Sequence, residues 1–125
     1  MLRNSPLYAS FAVDDLATAK SFYADVLGAE VEEIAGGGLL SLRAGNGYAI
    51  LVYPKERHEP AAHTIVNFPV DDIEAAVDGL RAAGVSFEHY DEGPVKTDDR
   101  GIALPGPRQA WFRDPAGNIL SVIEG

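Results

Sequence analysis

Few side chains in this sequence are of types that do chemistry, and their spacing scatters most of them. His58, Glu59 and His63 fall within one short stretch and form the only grouping with the imidazole and carboxylate donors that a divalent ion requires. The surrounding linker, PKERHEPA, has two prolines and mixed charge, so nothing fixes those donors at ligand geometry and solvent-facing side chains are expected. His63 by itself is a candidate base, and Tyr8 is a second candidate for acid/base work. Lys96, Asp98, Asp99 and Arg100 form a mixed-charge run able to clamp a charged ligand, although such runs are ordinarily solvated surface. Trp111, the one tryptophan, either stacks on a ligand or fills the core, and both readings stay open. No cysteine is present, which excludes disulfide and thiolate chemistry and makes the cytoplasm the expected location.

The elements that must position these residues come in two copies. Phe11 to Leu16 reads FAVDDL and Phe68 to Ile73 reads FPVDDI, while Arg43 to Tyr53 (RAGNGYAILVY) matches Arg113 to Ile123 (RDPAGNILSVI). A period of about half the chain is too long for a solenoid and indicates two similar supersecondary modules. With 125 residues, the copies share the space of one domain. A hydrophobic share of 46% with 23% charged residues suits a globular protein. The net charge of −9 and the lack of a basic helix face argue against nucleic acid as a partner. The longest strongly apolar run, Ala49 to Tyr53, is far short of a membrane span.

Pattern gives the order βαβββ in each copy. Leu7 to Val13 reads as a strand, Asp14 or Asp15 as a cap, and Leu16, Ala19, Phe22, Tyr23, Val26 and Leu27 as the buried stripe of a helix stopped by Gly28. Strands follow at Glu30 to Ala35, Leu39 to Arg43 and Tyr48 to Tyr53, with Asn46-Gly47 placed for a tight hairpin. In the second copy His63 to Val70 is the strand, Asp71 the cap with Glu74 as capping-box partner, and Ile73, Ala76, Val77, Leu80 and Ala83 the stripe ended by Gly84. Val85 to Tyr90 reads as a strand. Residues 91–107, rich in Gly, Pro and charge, read as a lid or binding loop, because a structureless segment that long is seldom filler. Gln109 to Arg113 and Ile119 to Glu124 close the module around a DPAGN turn whose role is architectural.

Two V-D-D-L/I junctions and a terminal D-P-x-G-N turn in this order resemble the vicinal oxygen chelate superfamily, which includes glyoxalase I, extradiol dioxygenases, fosfomycin-modifying enzymes and bleomycin-resistance proteins. The resemblance runs from Tyr8 to Glu124. It implies an α+β fold of two tandem βαβββ modules in one domain: module one at 5–54, a linker at 55–61 and module two at 62–125. It also implies strands curled into cups with a pocket between them, within one chain or between subunits of a homodimer. Metal-bearing members carry one ligand on the first and one on the last strand of each module. Counting back from Asp15 and Asp72 gives Tyr8 and Ile65; counting on from Asp114 gives Ser121, which the repeat maps onto Leu51. Leucine and isoleucine offer no lone pair, so this quartet is not expected to hold a divalent metal, and no cofactor is expected.

What the resemblance leaves is a cup lined by Tyr8, Ser10, Leu51, Tyr53, Ile65, Asn67 and Ser121 on one strand parity, with Trp111 beside them. Phe11, Val13, Phe68 and Val70 point the other way, under the helices. A lining of aromatic, aliphatic and neutral polar groups suits a small organic molecule. The expected function is metal-independent small-molecule binding of the glyoxalase/bleomycin-resistance type. The alternative is a lyase, isomerase or dioxygenase relative with a non-standard metal or a metal-free acid/base site at His63 or Tyr8. A third reading is a scaffold whose cavity is filled by Tyr8, Tyr53 and Trp111.

Overall fold

Both helices begin where a paired aspartate ends a strand, and in each the second aspartate is the cap. A computed structural model shows Asp15 accepting from the Thr18 N–H at 3.0 Å and Asp72 from the Ala75 N–H at 3.1 Å, which satisfies a donor that the first helical turn leaves unpaired. The expected Asp71 cap with a Glu74 box is therefore corrected. Extended backbone at Asp72 aims its carboxylate at the helix, and Glu74 instead meets Arg108 at 2.8 Å. The structure describes residues 1–104 and 106–125; Pro105, inside the expected 91–107 loop, lies outside them.

The chain divides into two units, Met1–His58 and Glu59–Gly125. In the first, β1 (Ser10–Val13), β2 (Glu30–Ile34), β3 (Leu39–Arg43) and β4 (Ile50–Pro54) form a sheet in the order β1-β4-β3-β2, with β1 and β4 parallel. The helix α1 (Leu16–Ser21) continues as a π-helical turn over Phe22–Val26, a widening that the 3.6-residue pattern does not announce. Within that turn Tyr23 is almost wholly buried, with its ring centroid 5.7 Å from that of Phe11. The Asn46-Gly47 pair does not make a two-residue hairpin. Gly45 takes the left-handed conformation and the Gly47 N–H bonds to the Ala44 carbonyl at 3.1 Å, so the turn starts earlier and the connection between β3 and β4 is longer.

In the second unit β5 (Thr64–Val70), β6 (Gln109–Arg113) and β7 (Ile119–Glu124) form a sheet in the order β5-β7-β6, and α2 (Ile73–Ala82) packs against β7. Phe112, Leu120, Ile73 and Val77 are fully buried, each worth about 1.5–3 kcal/mol by transfer from water. The strand expected at Val85 to Tyr90 shrinks to one bridge, Phe87 with Phe112. The turn at Gly101 packs against this segment, so close to Phe87 and the Glu88 carbonyl that an added Cβ would sit 3.0 Å from that oxygen. The edge of β6 is covered by short pairings, with the Glu88 N–H bonded to the Trp111 carbonyl at 2.8 Å and Ile102 bridging Ala110. Among the described residues no helix is long and apolar enough to cross a membrane.

The DPAGN turn joins β6 to β7 around one buried carboxylate. Asp114 is 4% exposed and accepts from the Ala116 N–H at 3.0 Å, the Asn118 N–H at 2.8 Å and Asn118 Nδ2 at 3.0 Å. Gly117 holds a φ of 87° with Pro60 against it. Asp114→Ala would strand three donors, and we expect a loss of about 2–4 kcal/mol, read as a lower urea midpoint at an unchanged slope.

Candidate ligand site

Register on the second sheet builds a polar row. Parallel pairing sets Asn67 beside Ser121, and antiparallel pairing sets Trp111 on the other side of Ser121. The fully buried Ser121 hydroxyl donates to Asn67 Oδ1 at 2.5 Å and accepts from Gln109 Nε2 at 3.0 Å. Gln109 Nε2 also donates to Asn67 Oδ1 at 3.2 Å. A buried hydroxyl without partners is costly; here the neighbouring strands supply them.

Next to this row Trp111 is fixed by a residue that simple alternation points elsewhere. Thr64 pairs with Ile119 while Val66 pairs with Leu120, leaving Ile65 as an extra residue in β5. This bulge breaks the period of two and brings Thr64 onto the Trp111 face, where Trp111 Nε1 donates to Thr64 Oγ1 at 3.0 Å. Tyr90 meets the indole edge to face, with centroids 5.8 Å apart and planes at 73°. Together these residues wall a concavity of about 300 Å³, completed by Ala62, His63, Glu92, Pro94, Val95 and Ile119.

Of the residues expected to line a cup, Asn67, Ser121 and Trp111 come together in the second unit. Ile65 is the bulge, and His63 stands exposed at the rim of the concavity. In the first unit Ser10 pairs with Leu51 and Leu51 with Ser41, the register counterpart of the row Asn67, Ser121, Trp111. Tyr8 precedes β1 and is 63% exposed, and Tyr53 is also exposed. The charged run does not form a clamp. Asp98 Oδ1 accepts from the Arg100 and Ile102 N–H groups, and Arg100 reaches α2, where Asp78, by hydrogen bond and charge, holds its guanidinium above the ordinary range. Thr64, Tyr90, Glu92 and Gln109 were not among the expected site residues. Gln109 carries a sequence signal, since it lies two residues before Trp111 on the same strand face; the other three depend on the bulge and on the path of the loop.

A larger depression, about 580 Å³, lies in the first unit between α1, the π-helical turn and the β2–β3 connection. It has no aromatic wall, and an exposed ion pair, Lys20 to Glu33 at 2.9 Å, borders it. Exposed pairs of this kind contribute about 0–1 kcal/mol and mark solvated surface.

Residues 6–122 match the model of the Glyoxalase/Bleomycin resistance protein/Dioxygenase superfamily. The chain belongs to this superfamily. Among solved structures, it is similar to TnmS3, an antibiotic-binding protein from a Streptomyces species, at 20% identity over 97% of both chains, with a TM-score of 0.69. It is similar to lactoylglutathione lyase from Agrobacterium tumefaciens at 26% identity over 98% of this chain and 96% of that one, with a TM-score of 0.64. A mutant of the fosfomycin resistance protein FosX from Listeria monocytogenes, complexed with Mn(II) and dihydroxypropylphosphonic acid, matches at 18% identity over 95% and 89%, with a TM-score of 0.66. No curated protein matches the chain.

Of the four positions that the resemblance gives for metal ligands, Tyr8 is exposed ahead of β1. Leu51 and Ile65 carry no donor atom, and the Ser121 hydroxyl is already engaged by Asn67 and Gln109. Among the described residues no group of three His, Cys, Asp or Glu side chains stands ready to hold an ion. The Trp111 anchor is directly testable: Thr64→Val removes the indole's acceptor, and we expect about 1 kcal/mol of destabilisation with a shifted indole N–H resonance in the NMR spectrum.

Proposed function

We propose that this superfamily member is a metal-independent small-molecule-binding protein that holds a planar organic ligand against Trp111 in the second unit. The observation that carries the reading is the aromatic corner of Trp111 and Tyr90 in a concavity whose other walls are largely apolar. Because the indole N–H is bonded to Thr64, the ring face is the part left to a ligand, and stacking on a fixed ring costs little conformational entropy. A volume near 300 Å³ matches the small end of organic-ligand pockets, roughly 300–1,000 Å³. Antibiotic binding by TnmS3 is consistent with a fold of this kind serving ligand capture. Hydrocarbon at Leu51 and Ile65 supports binding without an ion.

His63 on the rim supports a second reading, in which the same concavity performs metal-free acid/base chemistry. Under it, His63→Ala abolishes turnover of any substrate found; under binding alone, the variant keeps its affinity.

The single tryptophan makes the test clean. Titration with a panel of aromatic antibiotics should quench Trp111 emission, and at a hundredfold excess over Kd the ligand should stabilise the fold by about 2.7 kcal/mol, seen as a higher Tm. EDTA should change neither signal. Binding lost in EDTA and restored by zinc, nickel or manganese would overturn metal independence; an emission unmoved by every compound would overturn the site.

A further inference from the structure

The loop after Phe87 is not one lid, and its division determines which charge the concavity presents. Residues 97–103 are pinned: Thr97 bridges Ala103, Ile102 bridges Ala110 and is fully buried, and Arg100 is tied to α2. Residues 91–96 form a short flap on a closed base. The Tyr90 N–H donates to Thr97 Oγ1 at 2.8 Å and the Thr97 N–H donates to the Tyr90 carbonyl at 2.8 Å. From this flap Glu92, Pro94 and Val95 reach the wall of the concavity. Gly93 between them takes a φ of 84° with open space around it, so the glycine is needed for the turn that presents Glu92 and not for clearance.

The charged groups around the concavity are then unequal. Glu92 lines it, as does the ionisable His63, and no lysine or arginine does among the described residues. Three arginines of the second unit are engaged in ion pairs, Arg113 with Glu88, Arg108 with Glu74 and Glu124, Arg100 with Asp78 and Glu74, and Lys96 of the flap is not among the lining residues. An indole face next to a carboxylate attracts an organic cation twice, through the ring quadrupole and through the charge. The net charge of −9 draws cations toward the whole chain.

Building on the proposed binding function, we infer that the concavity is selective for aromatic compounds bearing an ammonium group, with the cation between Glu92 and the Trp111 face and the apolar body against Pro94, Val95 and Ile119. Anionic aromatics are disfavoured by the same carboxylate.

Three probes of one shape test this: naphthylmethyl-trimethylammonium, naphthylmethanol and naphthylacetate, titrated into the full chain and read by calorimetry and by the single indole N–H resonance. The cation should bind at least about tenfold more tightly than the anion at low salt, with the alcohol between. Glu92→Gln should weaken the cation by about five- to tenfold and leave the alcohol within about twofold, and Glu92→Lys should reverse the order of cation and anion. Glu92 is exposed on the flap, so both variants should keep the parent Tm. Equal affinities for all three probes, unchanged by either variant, would overturn the charge selectivity while leaving the binding function standing. An indole resonance unmoved by the probes and by the antibiotic panel would overturn both.

Discussion

Side chains alternate along a strand, so one inserted residue redirects everything that precedes it. Ile65 is that residue in β5, and its consequence is the Trp111 to Thr64 hydrogen bond. With strict alternation, Thr64 would face α2 and the indole N–H of a half-buried tryptophan would lack this acceptor. A ring free to change rotamer makes a poor stacking surface, because ordering it on binding subtracts from affinity. The bulge therefore links the path of β5, the fixed orientation of Trp111 and the corner it makes with Tyr90. The concavity exists because those three coincide.

The two halves show what a repeat constrains and what it leaves free. Register is shared: Ser10, Leu51 and Ser41 lie across the first sheet as Asn67, Ser121 and Trp111 lie across the second. Chemistry is not shared. The first row has two small hydroxyl side chains around a leucine, whereas the second has an amide, a buried hydroxyl and an indole. Backbone pairing depends little on side-chain identity once the strands and turns are set, so the site could diverge in one half without disturbing the sheet in the other.

Much of the fold was legible in the sequence, and the reasons are local. The VDD junctions state a strand end and a helix cap within a few residues, and the DPAGN turn carries its own hydrogen-bond acceptor, Asp114, beside the donors it satisfies. Of the expected lining, the shared face of Asn67 and Ser121 followed from strand parity, which holds along β7 and along β5 after the bulge, whereas Trp111, which lines the concavity, was open between stacking and core filling. What was not legible depended on distant partners. The π-helical turn at Phe22–Val26 keeps the same residues helical while widening one turn. The strand expected at Val85 to Tyr90 is reduced to a bridge with Phe112, and the Gly101 turn lies against it, a contact between segments that no periodicity reports. Asp71 and Asp72 are both good caps by type, and only backbone direction distinguished them.

The polar row also bears on the proposal that the chain binds its ligand without a metal. A cation site needs several donors whose desolvation the ion repays. Leu51 and Ile65 offer no such donor. Ser121 is not stranded, because Asn67 and Gln109 close a neutral hydrogen-bonded triangle around it. A neutral triangle carries no net charge and offers a ligand little electrostatic discrimination. Under the proposed selectivity, discrimination falls to charge that reaches the concavity from outside the sheet, where Glu92 of the flap at 91–96 lines it. In the proposed function, scaffold and selectivity are thus held by different parts of the chain: the strands fix the aromatic surface, and a short, exposed loop would set the charge of the molecule accepted.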